Sequence, residues 1–117
     1  MSVVIIKDIL TVQDVEKARE EYKDYIKITV DIDKGVVAIG GQFHADAEMV
    51  MMQEYNCKQS SIWGGGYQIS KDTFIVDALI NMRPSDNNPS SDILNPEKRE
   101  KFLTLAKQKL ANIKSLL

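Results

Sequence analysis

His44 is the one histidine of the chain, set in the stretch GGQFHADAE (residues 40–48), with Asp46 and Glu48 following at alternate positions. An imidazole is the side chain whose unperturbed charge changes near neutral pH. With a carboxylate orienting its ring it could act as an acid–base group or bind a ligand. Asp46 or Asp77 is the candidate for that partner in a catalytic arrangement. The plainer alternative is a histidine at an element junction that hydrogen-bonds to backbone and does nothing more. A catalytic zinc site takes about three protein ligands rich in histidine or cysteine. One histidine and one cysteine cannot supply that set, and no calcium-loop spacing is present, so no metal site is assigned.

A second group lies in TFIVDALINMRP (residues 73–84), where Asp77, Asn81 and Arg83 break a strongly apolar run. On one extended strand, at about 3.3 Å per residue, all three fall on the same side. An acid, an amide and a guanidinium there could hold a polar or anionic ligand, the arginine fork suiting a carboxylate or phosphate. The alternative is structural: Arg83 paired with an acid or a loop carbonyl, and Asn81 stabilising the following turn. Trp63 precedes Gly64, Gly65 and Gly66. No Lys-Ser or Lys-Thr pair follows these glycines, and no dinucleotide fingerprint is present, so no cofactor is assigned. Trp63 is either the wall of a pocket or core packing. Cys57, Ser60 and Ser61 lack the context of an activated nucleophile.

The elements that must position these residues follow from periodicity. Val3 to Ile6 reads as a first strand. Thr11 is placed as the N-cap of a helix, with Asp14 as its capping-box acid and Leu10 and Val15 as a hydrophobic staple. YIKITVDID alternates: Ile26, Ile28, Val30 and Ile32 on one side, Lys27, Thr29, Asp31 and Asp33 on the other. That pattern predicts a strand with one wet face. The turn Asp33–Gly35 and the return strand VVAIGG complete a hairpin over about residues 25–41. Residues 42–56 fit two patterns. As a strand, His44, Asp46 and Glu48 share a face; as a helix starting near Ala45, favoured by its alanine, methionine and glutamate, His44 and Glu48 lie one turn apart and Asp46 points elsewhere. SIWGGGYQI reads as a glycine-interrupted strand and residues 73–84 as a further one. PSDNNPSSD reads as a polar loop with no core-forming residue. Asn95 and Pro96 open a last helix, whose predicted buried stripe runs through Phe102, Leu103, Ala106, Leu110, Ile113 and Leu117.

This order predicts one α+β domain over residues 1–117, with a largely antiparallel sheet of about five strands and helices covering one face. The other face would be half-polar and open to a ligand, a partner subunit or water. The composition suits a globular protein, with 44% hydrophobic and 27% charged residues. A net charge of −2 disfavours nucleic acid or anionic membrane as the partner. Six basic residues against two acids after Asn95 read as the solvated side of the last helix. A single cysteine, an N-terminal run without a leader pattern, and no long apolar span predict a cytoplasmic setting.

Several stretches together, VDIDKGVVAIGGQFHADAE, then Trp63-Gly64, then INMRP, resemble a family of small uncharacterised prokaryotic proteins. The shared pattern is Gly-Gly-x-x-His-Ala-Asp-x-Glu, Trp-Gly and Asn-x-Arg-Pro. The resemblance extends over nearly the whole chain and implies that His44, Asp46, Glu48, Trp63, Asn81 and Arg83 belong to the family pattern. It implies no activity. The run Gly64–Gly66 is longer than the single glycine of that pattern.

Two functions follow from the residues. The first is a binding or regulatory module, self-associating as a homo-oligomer, that holds a small polar or anionic ligand with His44, Trp63, Asp77, Asn81 and Arg83. The second is a small hydrolase or lyase with His44 as acid–base, Asp46 or Asp77 orienting it, and Arg83 holding negative charge. They differ in geometry: the enzyme needs His44 hydrogen-bonded to a carboxylate in a cleft that also presents Arg83.

Overall fold

A computed structural model describes residues 2–117. Five strands, β1 (Val4–Ile6), β2 (Tyr25–Asp31), β3 (Val36–Ile39), β4 (Ile62–Gln68) and β5 (Thr73–Ile75), form one sheet in the order β1-β3-β2-β4-β5. Every pairing is antiparallel. The helices are α1 (Val12–Ala18), α2 (His44–Tyr55), α3 (Pro96–Lys109) and α4 (Ile113–Leu116). The α+β class and the five-stranded antiparallel sheet agree with the sequence expectation.

Alternation in the strands builds two cores, not one. Ile26, Ile28 and Val30 of β2 share a face with Val37 and Ile39 of β3 and with Trp63 and Tyr67 of β4. That face is closed by Val15 and Ala18 of α1, Phe102 and Ala106 of α3, Leu110, and Ile113 of α4. On the opposite face Ala38 and Ile62 pack against Ala47 and Met51 of α2 and against Cys57. The helices therefore fall on both sides of the sheet, where one side was expected. The difference lies in the face of β2 read as wet. Thr29 and Asp31 are buried there, and the Asp31 carboxylate accepts the N–H groups of Asp33 and Lys34, which closes the hairpin turn. A carboxylate engaged by backbone donors can lie under a helix, where a solvated one could not. α2 covers the β1-β3-β2 part of this face and leaves the β4-β5 end open.

The local signals for α1 hold: Thr11 accepts from the N–H of Asp14 and the Asp14 carboxylate accepts from the N–H of Thr11, each at 3.1 Å. Residues 44–55 are helical, starting one residue before the expected Ala45. The helix ends where Asn56 turns into the left-handed region at φ 58°, a conformation asparagine tolerates. Asn95 caps α3 through the N–H of Lys98, with Pro96 at its first position. The predicted stripe is buried at Phe102 and Ala106 of α3, at Leu110 just after it and at Ile113 of α4, while Leu117 is exposed; the one last helix expected is two.

One strand is much shorter than the apolar alternation predicted. β5 stops at Ile75, opposite Gly66, and Leu79–Asn81 and Pro84–Asp86 are 3-10 turns. The reason is Asn81, whose amide takes the place of a neighbouring strand. Its Oδ1 accepts the N–H of Gly64 at 2.8 Å and its Nδ2 donates to the carbonyl of Gly64 at 2.9 Å. An asparagine side chain carries the same donor and acceptor as a peptide group and competes with the ladder. Asp77, Asn81 and Arg83 therefore do not line one side of a strand.

Candidate functional site

At the open end of the α2 face lies a cleft of about 730 Å³. Its polar lining consists of Tyr25 and Lys27 of β2, His44 at the first turn of α2, Asp77, and Ser91. Phe43, Ile75, Ala78, Leu79, Ile80 and Met82 make most of the remainder. On this face β4 is bare, which lets the walls of the cleft close onto its backbone. Gly66 pairs with Lys27 and Gly64 with Thr29, so neither position carries a side chain on this face. A Cβ on Gly64 would sit 2.7 Å from Ala78 Cβ and 2.9 Å from His44 Cδ2. A Cβ on Gly66 would strike the Tyr25 ring. Gly65 faces the other way, and Phe102 of α3 fills its space. Each glycine of the run admits a different large side chain.

His44 is 9% exposed, and its Nε2 lies 2.7 Å from the Gly65 carbonyl. A carbonyl oxygen can only accept, so Nε2 carries the proton and donates it. In the neutral ring Nδ1 is then an acceptor; it makes no hydrogen bond among the described residues and is not one of the buried unpaired atoms, so solvent reaches it. Burial is the main influence on the imidazole and pushes its pKa below the ordinary value. The Gly65 bond and the charge of Asp77 pull upward, and Lys27 pulls downward. The ring is oriented by a backbone carbonyl, the plainer of the two alternatives read from the sequence, and not by a carboxylate.

Lys27 and Tyr25 were not singled out from the sequence. The Lys27 ammonium lies over the Tyr22 ring, 4.6 Å from its centroid, and 5.6 Å from that of Tyr25. Among the described residues it has no ion pair and no hydrogen-bond acceptor. Burial lowers its pKa. Burial pushes the Tyr25 phenol up to about 12, with the nearby charge of Asp77 adding to the shift. The signal available in the sequence was the alternation of β2, which puts Tyr25 and Lys27 on one face. The glycines opposite them carry meaning only once the β2–β4 register is known.

Of the residues proposed from sequence, His44 and Asp77 come together in the cleft. Asp46 does not join them. Its carboxylate accepts the N–H of Phe43 at 3.1 Å and holds the start of α2. Trp63 is 1% exposed on the other face of the sheet, in the core with α3. Arg83 stacks on that indole, its guanidinium carbon 4.4 Å from the ring centroid. It donates to the carbonyls of Ile80 and Gln59 at 2.8 Å and to that of Ile62. Asn81 also donates to the carbonyl of Ser91 at 2.9 Å. Asn81 and Arg83 thus tie residues 78–83, one wall of the cleft, to β4, with their polar atoms engaged by backbone. Asn88, unremarked in the sequence, orders the loop beyond. Its Nδ2 lies 2.7 Å from the Asn81 carbonyl and 2.8 Å from that of Asp92, and its Oδ1 accepts the N–H of Leu94.

Among the described residues no group of three or more histidine, cysteine, aspartate or glutamate side chains could hold a metal ion. No helix among them is long and apolar enough to cross a membrane. Fold and site together define a small α+β protein with a mostly apolar cleft on the partly covered face of its sheet. The chain belongs to the family described as "Protein of unknown function (DUF5674)", whose model matches residues 4–109. No curated protein and no solved structure matches it at a significant level.

Proposed function

We propose that this protein is a binding module for a small molecule, held in the cleft between α2, β2 and residues 75–82. The apolar body of the ligand packs on Phe43, Ile75, Leu79, Ile80 and Met82, and its polar end meets Lys27, Tyr25 and His44. One observation carries this: a concave, largely apolar space of about 730 Å³ onto which a few polar groups with shifted pKa values converge. Such a combination marks ligand sites. Trp63, Asn81 and Arg83 support the site from behind without touching the ligand. The test is a fragment screen read by ¹H–¹⁵N correlation spectra. Hits should shift the amides of Lys27, His44 and Leu79, and Ala45→Trp, which fills the mouth, should abolish them. Hits that shift other surfaces, or survive in Ala45→Trp, would sink the proposal.

The exposed apolar rim supports self-association beside the cleft: Leu79 is 80% exposed, with Phe43 and Met82 next to it. Sedimentation of the wild type and of Leu79→Asp over a concentration series tests this, the variant being expected to stay monomeric where the wild type does not.

A second reading is an enzyme, and what favours it is the bare Nδ1 of His44 at the cleft. A fixed tautomer with one free nitrogen is what a general base needs. Arg83, bound to three carbonyls, takes no part in it. Activity found in a substrate screen should follow the ionisation of His44 and vanish in His44→Gln; activity that persists in the variant ends this reading.

A further inference from the structure

We infer that the ligand of this cleft is a carboxylate with an apolar body, its carboxylate seated against the Lys27 ammonium. The inference rests on the binding reading above and specifies the ligand class. Among the described residues Lys27 is the only cation lining the cleft. It projects from the middle of a strand into a half-buried position, yet among the described residues no carboxylate lies within ion-pair distance. The Tyr22 and Tyr25 rings flank it and favour the ammonium form. They hold it in place without neutralising it.

Asp77 is the one acid among the described residues on the lining, and it forms no ion pair with Lys27, so the lysine is the group left for the anionic end of a ligand. Phe43, His44 and Ala45, the N-cap and first two residues of α2, also line the cleft. The backbone N–H groups of His44 and Ala45 have no acceptor among the described residues. A twelve-residue helix presents partial positive charge at this end. One lysine with no arginine suits a single carboxylate; a phosphate dianion needs more donors. The apolar side chains around the same space, among them Phe43, Ile75, Leu79, Ile80 and Met82, suit an apolar body for the rest of the ligand.

The experiment uses three probes with one body, 4-phenylbutyrate, 4-phenylbutyramide and 4-phenylbutylamine, titrated into the full chain by ¹H–¹⁵N correlation spectra. The expected result is binding of the carboxylate at Lys27, Ala45 and Leu79. The amide should bind about ten- to hundredfold more weakly, the range of a charge-assisted contact. Lys27→Met should weaken the carboxylate by a similar factor and leave the amide unchanged, and Lys27→Arg should keep most of the affinity. Thermal melts of both variants establish that they fold. If amide and carboxylate bind alike, and Lys27→Met changes neither, the carboxylate assignment is overturned while the cleft reading stands. Tighter binding of the amine overturns it in favour of Asp77 as the anchor. If none of the three perturbs the cleft, both the assignment and the reading beneath it fail.

Discussion

His44 shows how one contact decides what a residue can do. The Gly65 carbonyl fixes its tautomer, and burial keeps its pKa below 6.5. An unfolded chain takes up this proton at a higher pH than the folded one, so His44 favours folding fully above about pH 6.5. That contribution falls as the pH drops through 6.5 toward the lower folded-state value. Urea unfolding at pH 7.5 and 5.5 should therefore cost the wild type more stability than His44→Gln; equal losses would contradict the assignment. Cys57 is the opposite case. It is 6% exposed, and burial, with Asp31 beside it, pushes its thiol up to about 11. Thiolate is the reactive form, so the native protein should resist a thiol reagent at pH 8 and react at once when unfolded. Labelling of the native chain at the rate of a free thiol would show that Cys57 is not held this way.

At the scale of elements, β4 organises the site by what it lacks. Gly64→Ala brings a methyl group against Ala78 and His44, of which Ala78 has no rotamer to yield. Overpacking of this kind costs about 1–3 kcal/mol, which denaturant unfolding would measure. Gly66→Ala meets only the far end of the Tyr25 ring, which can swing away. It should lose less stability than Gly64→Ala and alter ligand binding more, and the reverse order would refute this account of the glycine run. Asn81→Ala removes both contacts to Gly64 and the one to Ser91 from a fully buried site. Unsatisfied buried groups cost about 1–3 kcal/mol each. The variant should unfold at markedly lower urea and also lose the cleft, whose wall Asn81 anchors. A variant with wild-type stability would show that the amide does not replace a strand.

Over the whole molecule, the two faces of the sheet carry different tasks. The face under α1, α3 and α4 holds the larger core, and Phe102 reaches through the space of Gly65 to touch the strand backbone. Phe102→Ala should cost about 3–5 kcal/mol by calorimetry while leaving the cleft, on the other face, able to bind its ligand if the chain still folds. Loss of binding in a folded Phe102→Ala protein would mean that the two faces are coupled.

Much of this architecture was legible in the residues. The alternation of β2 and β3, the Thr11 and Asn95 caps and the helical period of α3 are local patterns, because each is set by neighbours a few positions away. His44 and Asp77, both singled out from the sequence, line the cleft. The ends of β5 and the helical state of residues 44–55 were less legible: apolar alternation continues past Ile75, and only the amide of Asn81, reaching seventeen positions back to Gly64, stops the strand. The roles of Trp63, Asn81 and Arg83 were likewise hidden, since a tryptophan or an arginine reads alike in sequence whether it faces a ligand or a carbonyl.

By itself, then, the sequence determined most of the secondary elements and the antiparallel sheet. Only the tertiary structure decided which side chains share the cleft. Tyr25 and Lys27 meet His44 and Asp77 because the β2–β4 register sets them opposite glycines and α2 crosses at that point. Register and crossing are long-range choices made by the packing of two cores, and no short stretch of the chain encodes them.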